Sequence, residues 1–152
     1  MKEVKKEKIN YTINYQATDG TLFTDRAECE KYENSALGVM RGRFNNLIVA
    51  DTRSKEGINA WTLMGGDEDH DIVAIKMPEE KDYNDVCHLL LLESPWLDDE
   101  RHVEFKQKRM KIIQDAFKNN DVVFFGINCE GYIYLINSLG NIMQNLKDFC
   151  GK

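Results

Sequence analysis

Residues 9–16 alternate Ile9, Tyr11, Ile13 and Tyr15 with polar neighbours, the two-residue period of a strand with one buried face. Asp19-Gly20 supplies a hairpin turn, and residues 21–23 read as the return strand. Thr24 is placed to cap a helix whose first turn holds Asp25, where an acid meets the positive end of the helix dipole. Beyond it Cys29, Tyr32, Ala36, Met40, Phe44 and Leu47 recur every third or fourth residue, so one stripe of a single long helix is expected to face a core. Gly38 and Gly42 weaken that helix.

Residues 48–50 fit either a strand or a helix end, residues 51–60 a polar loop, and residues 61–64 a short strand before the turn Gly65-Gly66. Residues 72–77 are a strand that Pro78 stops, and residues 83–92 a helix that Pro95 ends, because the residue before proline is driven out of the helical region. A second long helix is expected over 98–119, with acids at its start and Met110, Ile113 and Phe117 on one face. Residues 122–127 and 132–136 flank Glu130-Gly131 as a hairpin. Leu139, Ile142, Met143, Leu146, Phe149 and Cys150 then mark a last amphipathic helix, with Gly151 just past its end. The order predicts an α+β fold: a charged, flexible arm over 1–8, then a single domain over 9–152 in which antiparallel hairpins pack on two long helices and a C-terminal one.

The chain has 152 residues, of which 42% are hydrophobic. A chain of this size buries about 68–70% of its unfolded surface and builds a core without metal or disulfides. No apolar run approaches the roughly 18–20 residues of a membrane span, and the lysine-rich start lacks a signal-peptide core. The four cysteines, Cys29, Cys87, Cys129 and Cys150, form no CxxC pair, so they read as reduced thiols in a cytoplasmic protein, with Cys29 and Cys150 on apolar helix faces.

Charge divides unevenly. The net charge of −6 conceals 13 acids against three bases over residues 67–104, a local balance of −10, while the other 114 residues sum to +4. A surface with that field attracts and steers basic partners, with rates that fall as salt rises. The candidate partner-binding residues are therefore Asp67, Glu68, Asp69, Asp71, Glu79, Glu80, Asp82, Asp85, Asp98, Asp99 and Glu100. Solvated loops and helix starts account for the same acids without a partner; Asp98-Asp99-Glu100 in particular suits a helix N-terminus.

Catalytic and metal chemistry find little support. The run 65–71 offers oxygen ligands, yet the EF-hand spacing is missing and His70 has no second histidine to join it. Asp85 and His88 could meet on one helix face, but no nucleophile accompanies them. Asp71 and Lys76 hint at a nuclease strand, and Ala74 stands where its second carboxylate belongs. Neither GxxxxGK[ST] nor GxGxxG occurs. Two basic groups, Arg41, Arg43, Arg53 and Lys55, and Lys106, Lys108, Arg109 and Lys111, are placed to touch phosphates, with Tyr11, Tyr15 or Trp61 to stack on bases. The overall acidity argues against direct nucleic-acid binding, and the same bases are equally available to neutralise the acids within the fold. No cofactor is indicated.

Tyr15-x-Ala17-x-Asp19-Gly20-x-x-Phe23, followed by Cys29-x-x-Tyr32-Glu33, resembles the strand–turn–strand–helix opening of small bacteriophage and prophage proteins. The resemblance covers residues 13–48, is structural, and carries no catalytic residue. It implies a phage-like origin, and with it a binding protein that antagonises host machinery, an anti-CRISPR type of inhibitor included, by presenting carboxylates to a Lys/Arg-lined nucleic-acid channel. The alternatives are a small ligand- or metal-binding protein or enzyme with a pocket near Asp69, His70 and Asp71, and a virion assembly component.

Overall fold

Strands β3 (Ile48–Asp51), β4 (Asp71–Ile75), β5 (Val123–Ile127) and β6 (Ile133–Ser138) form an antiparallel meander, side by side in chain order. The computed structural model describes residues 11–17, 21–52 and 70–151. β4 and β5 are central and covered on both faces, which is why they read as nearly unbroken apolar runs rather than as alternating ones. The turn between β5 and β6 is held by Asn128, whose Oδ1 accepts from the backbone N–H of Glu130 (3.0 Å) and of Tyr132 (2.9 Å), while Gly131 takes the left-handed backbone (φ 85°) that favours glycine.

One face of the sheet, from Val73, Ile75, Val123, Phe125, Ile133 and Leu135, meets helices α2 (Ala36–Asn46), α3 (Glu80–Glu93) and α4 (Val103–Lys118) in the main core. Phe44 meets Phe125 there edge to face, ring centroids 5.2 Å apart. Val86, Leu89 and Leu90 are the buried stripe of α3, and Ile113 and Ala116 that of α4. The other face, with Ile72, Ala74 and Phe124, receives Ile142 of α5 (Leu139–Cys150). α+β architecture with antiparallel sheets is thus established.

Several boundaries differ from the reading of the sequence. The first hairpin pairs only β1 (Tyr15–Gln16) with β2 (Leu22–Phe23), and Tyr11 and Ile13 are exposed, because an alternating pattern makes a strand only where a partner edge is present. The helix after it is capped by Asp25 rather than Thr24, through a bond from Glu28 N–H (3.0 Å). The single long helix is two, α1 (Arg26–Glu33) and α2, since the Ser35 hydroxyl donates to Tyr32 C=O (2.6 Å) and accepts from Gly38 N–H (3.1 Å), ending one helix and capping the next.

Likewise the helix expected over 98–119 starts only at Val103. Pro95–Asp98 and Glu100–His102 are 3₁₀ turns separated by extended Asp99, so the acids at 98–100 precede the helix rather than occupy its first turn. The apolar stripe of α5 is largely uncovered: only Ile142 reaches a core cluster, while Leu139, Met143, Leu146, Phe149 and Cys150 are exposed. Gly151 caps α5 in the right-handed region (φ −81°), not the left-handed one. The arm at 1–8, the turn Asp19-Gly20 and the strand expected at 61–64 lie outside the described residues.

Candidate functional site

Of the candidate acids, Asp67, Glu68 and Asp69 lie outside the described residues. The others fall in three places. Asp71 opens β4, opposite Ile127. Glu79, Glu80, Asp82 and Asp85 occupy the N-terminal end of α3, whereas Asp98, Asp99 and Glu100 follow its far end. At about 1.5 Å per residue, the far end of α3 lies about 20 Å along the axis from Glu80 and about 12 Å from Asp85, so the last two groups are set apart by much of the helix.

Many of these charges are met inside the fold. Asp98 pairs with Lys106 across the 3₁₀ turn. Asp99 holds Arg101 through two side-chain bonds (3.0 and 2.7 Å) and accepts from the Arg101 backbone N–H, which together draw its carboxyl down to about 2. Asp82 accepts from the Glu79 backbone N–H (3.0 Å) at the start of α3. Asp85 is reached by Arg43 Nη1 at 3.3 and 3.4 Å, long for a charge-assisted bond. Glu79 has Lys81 at 4.0 Å with both side chains exposed, an arrangement of little energetic weight.

The bases set aside as phosphate contacts are engaged in the same way. Lys106 is taken by Asp98, Lys108 by Glu104 (3.1 Å) and Lys111 by Asp115 (2.5 Å). Arg41 is withdrawn from the surface: its Nε donates to Glu93 (2.5 Å), whose side chain is 1% exposed, and its Nη1 donates to the Tyr32 hydroxyl (2.8 Å). Burial alone lowers the basicity of that guanidinium, and the bonds to Glu93 and Tyr32 outweigh it and raise it. Arg53 and Lys55 lie outside the described residues. Nor is His70 isolated, since its Nδ1 lies 2.6 Å from the Tyr134 hydroxyl, ring edge to ring face.

A cleft of about 300 Å³ opens between the C-terminal end of α2 and the N-terminal end of α3, lined by Arg43, Asn46, Leu47, Lys81, Asp82 and Asp85. Two of the candidate acids face it, and Glu79 and Glu80 belong to the same end of the helix. Charge density in the sequence pointed to those acids; that α2 would supply the opposite wall depends on a contact between residues about 40 apart, which no local pattern carries. Among the described residues, no group of three or more His, Cys, Asp or Glu side chains is arranged to hold a metal ion, and no helix is long and apolar enough to cross a membrane. No protein-family model matches the chain, and no curated protein or solved structure matches it.

Proposed function

We propose that the chain is a binding protein that docks a basic protein surface through the acidic N-terminal end of α3, receiving a lysine or arginine side chain in the α2–α3 cleft. The observation that carries this reading is the state of Asp85: a carboxylate lining the cleft whose Arg43 contact is too long to hold it strongly. An incoming guanidinium with bidentate geometry exchanges for that contact at small cost, and exposed Glu79 and Glu80 add to the attraction. The likeness of residues 13–48 to phage proteins supports a bacterial host protein as the partner, with a Lys/Arg-lined nucleic-acid channel as the matching chemistry.

The test is amide-shift mapping with a hexa-arginine peptide, with duplex DNA as the opposite-charge control. The reading expects shifts confined to residues around 43–47 and 79–85, weaker binding as salt rises, and loss of binding in Glu80→Lys with Asp85→Asn. Both substitutions leave the Asp82 contact at the helix start intact. Shifts spread over every acidic segment, or binding indifferent to the double substitution, would remove the basis for the proposal.

A further inference from the structure

A second, apolar cavity lies where the C-terminal end of α3 and the 3₁₀ turn after it meet α4 and the edge strand β6. It measures about 90 Å³, and its walls include Leu90, Trp96, Leu97, Phe105 and Leu135. That volume is several times the roughly 10–15 Å³ that one water needs on the same measure, and well below the roughly 300–1,000 Å³ of sites for drug-sized molecules. It admits a single ring or a branched aliphatic group. Trp96 and Phe105, both substantially exposed, stand with ring centroids 5.7 Å apart at this site.

Three polar side chains line this apolar space, Arg109, Ser94 and Tyr134, and the Tyr134 hydroxyl already meets His70 Nδ1 at 2.6 Å. The guanidinium of Arg109 lies over the Phe105 ring, 4.6 Å from its centroid, and one of its Nη1–H groups donates to Leu135 C=O (2.5 Å). Among the described residues no carboxylate pairs with it, so four of its five N–H donors are uncommitted. Burial lowers its basicity, although a guanidinium stays protonated at any physiological pH. The second group is Ser94. The residue is 9% exposed, its backbone N–H and C=O are used by Leu90 and Leu97, and among the described residues its hydroxyl has no partner. The remaining Arg109 donors and the Ser94 hydroxyl are therefore available to a ligand anion, which would gain charge-assisted bonds at the mouth of an apolar space.

We propose that this pocket binds an apolar carboxylate, with the ring or branched group against Leu90, Trp96, Leu97 and Phe105, and the carboxylate on the Arg109 fork with a hydrogen bond donated by Ser94. A phosphate fits less well: a dianion loses much more hydration than one half-buried cation and one hydroxyl return, whereas a singly charged carboxylate carries its own apolar group into the cavity. The same chemistry is offered by a free acid and by the C-terminal residue of a peptide.

The experiment is amide and indole shift mapping on the full chain with phenylacetate, and with phenylacetamide and phenethylamine as probes of the same ring. Acetyl-Gly-Phe with a free carboxylate, compared with its amide, supplies the peptide arm. Phenylacetate is expected to shift Leu90, Trp96, Phe105 and Leu135 with a dissociation constant on the order of 1 mM. The amide and the amine should bind about tenfold or more weakly, because the charge-assisted bonds are lost. Arg109→Lys, which keeps the charge and loses the fork, and Ser94→Ala should each weaken phenylacetate more than phenylacetamide, with thermal melts confirming that both variants fold. Tighter binding of the peptide acid assigns the site to chain termini, and tighter binding of the free acid assigns it to small molecules. Equal affinity for phenylacetate and phenylacetamide, or no localised shifts with any carboxylate, overturns the assignment.

Discussion

The Arg41–Glu93 pair ties α2 to α3 from inside, and its removal one side at a time should be among the most damaging changes available to the protein. Glu93→Leu leaves a guanidinium with 13% side-chain exposure and no carboxylate at 2.5 Å, and Arg41→Met leaves a carboxylate with 1% exposure. Breaking a buried pair from one side costs about 3–5 kcal/mol, because an uncompensated charge remains in the interior. A domain of this length has roughly 5–15 kcal/mol in total, so either variant should lose a large fraction of its stability. At about 2–4 °C per kcal/mol, the melting temperature should fall by roughly 6–20 °C.

The double variant Arg41→Met/Glu93→Leu tests the reasoning more sharply than either single one. With both charges gone, no buried charge is left without its partner, and such replacements by apolar side chains are often neutral or stabilising. The loss of the Tyr32 hydroxyl bond to Arg41 remains, at about 0.5–1.5 kcal/mol. The double variant should therefore lie within about 2 kcal/mol of the parent, far from the sum of the singles. Urea denaturation followed by far-ultraviolet circular dichroism measures all four proteins on one scale. A single Arg41→Met cost below about 1 kcal/mol, or a double variant equal to the sum, would refute the account of a desolvated pair.

Three further outcomes rest on particular contacts of the fold. Gly38→Ala should destabilise by about 3 kcal/mol or more in the same denaturation assay, because its Cβ would stand 2.2 Å from Tyr32 O and 3.2 Å from Glu33 Cα, backbone atoms that cannot step aside. Asp99, held near 2 by Arg101, has a folded-state value below the roughly 3.9 of an unfolded chain, so its contribution is complete above about pH 4 and disappears as pH falls toward 2. Carboxyl-carbon NMR should locate that midpoint, and Arg101→Ala should return it to the ordinary range. On α5, Phe149→Ser should change stability by less than about 0.5 kcal/mol, since the ring is 77% exposed, while Ile142→Ala, at the one α5 position packed on a core cluster, should cost more.

What the sequence disclosed of the fold is what local period and turn chemistry encode. β4, β5, β6, α3 and α5 appear within a few residues of their expected bounds, because each is a run whose apolar spacing has one interpretation. The break between α1 and α2 was hidden: Tyr32 and Ala36 are spaced as on one helix, and only the capping role of Ser35 separates them. The turn at 128–132 owes as much to Asn128, unremarked in the sequence, as to the glycine that marked it. At the candidate site the acids of α3 were legible from charge density alone. Their partners were not, since Arg41–Glu93 and Arg43–Asp85 join residues 52 and 42 apart, and such pairings exist only once helices pack.

That difference bears on the proposed docking through the acidic stretch. A local balance of −10 over residues 67–104 is a density along the chain, but a partner responds to charges within a screening length in space. Glu79, Glu80, Asp82 and Asp85 stand in the first half of α3 and Asp98, Asp99 and Glu100 beyond its far end, which lies about 12 Å along the axis from Asp85 and about 20 Å from Glu80. At physiological ionic strength the screening length is about 8 Å, so the two groups act independently, whereas at 0.01 M it is about 30 Å and they add. Replacing Asp98 and Glu100 by lysine should therefore leave hexa-arginine binding at the α3 N-terminal end nearly unchanged in physiological salt and weaken it clearly in dilute buffer. Titration calorimetry of that variant at the two ionic strengths provides the check. An equal loss in both would mean that the far group touches the peptide directly, and that the docking surface runs the length of the helix instead of ending at its first turns.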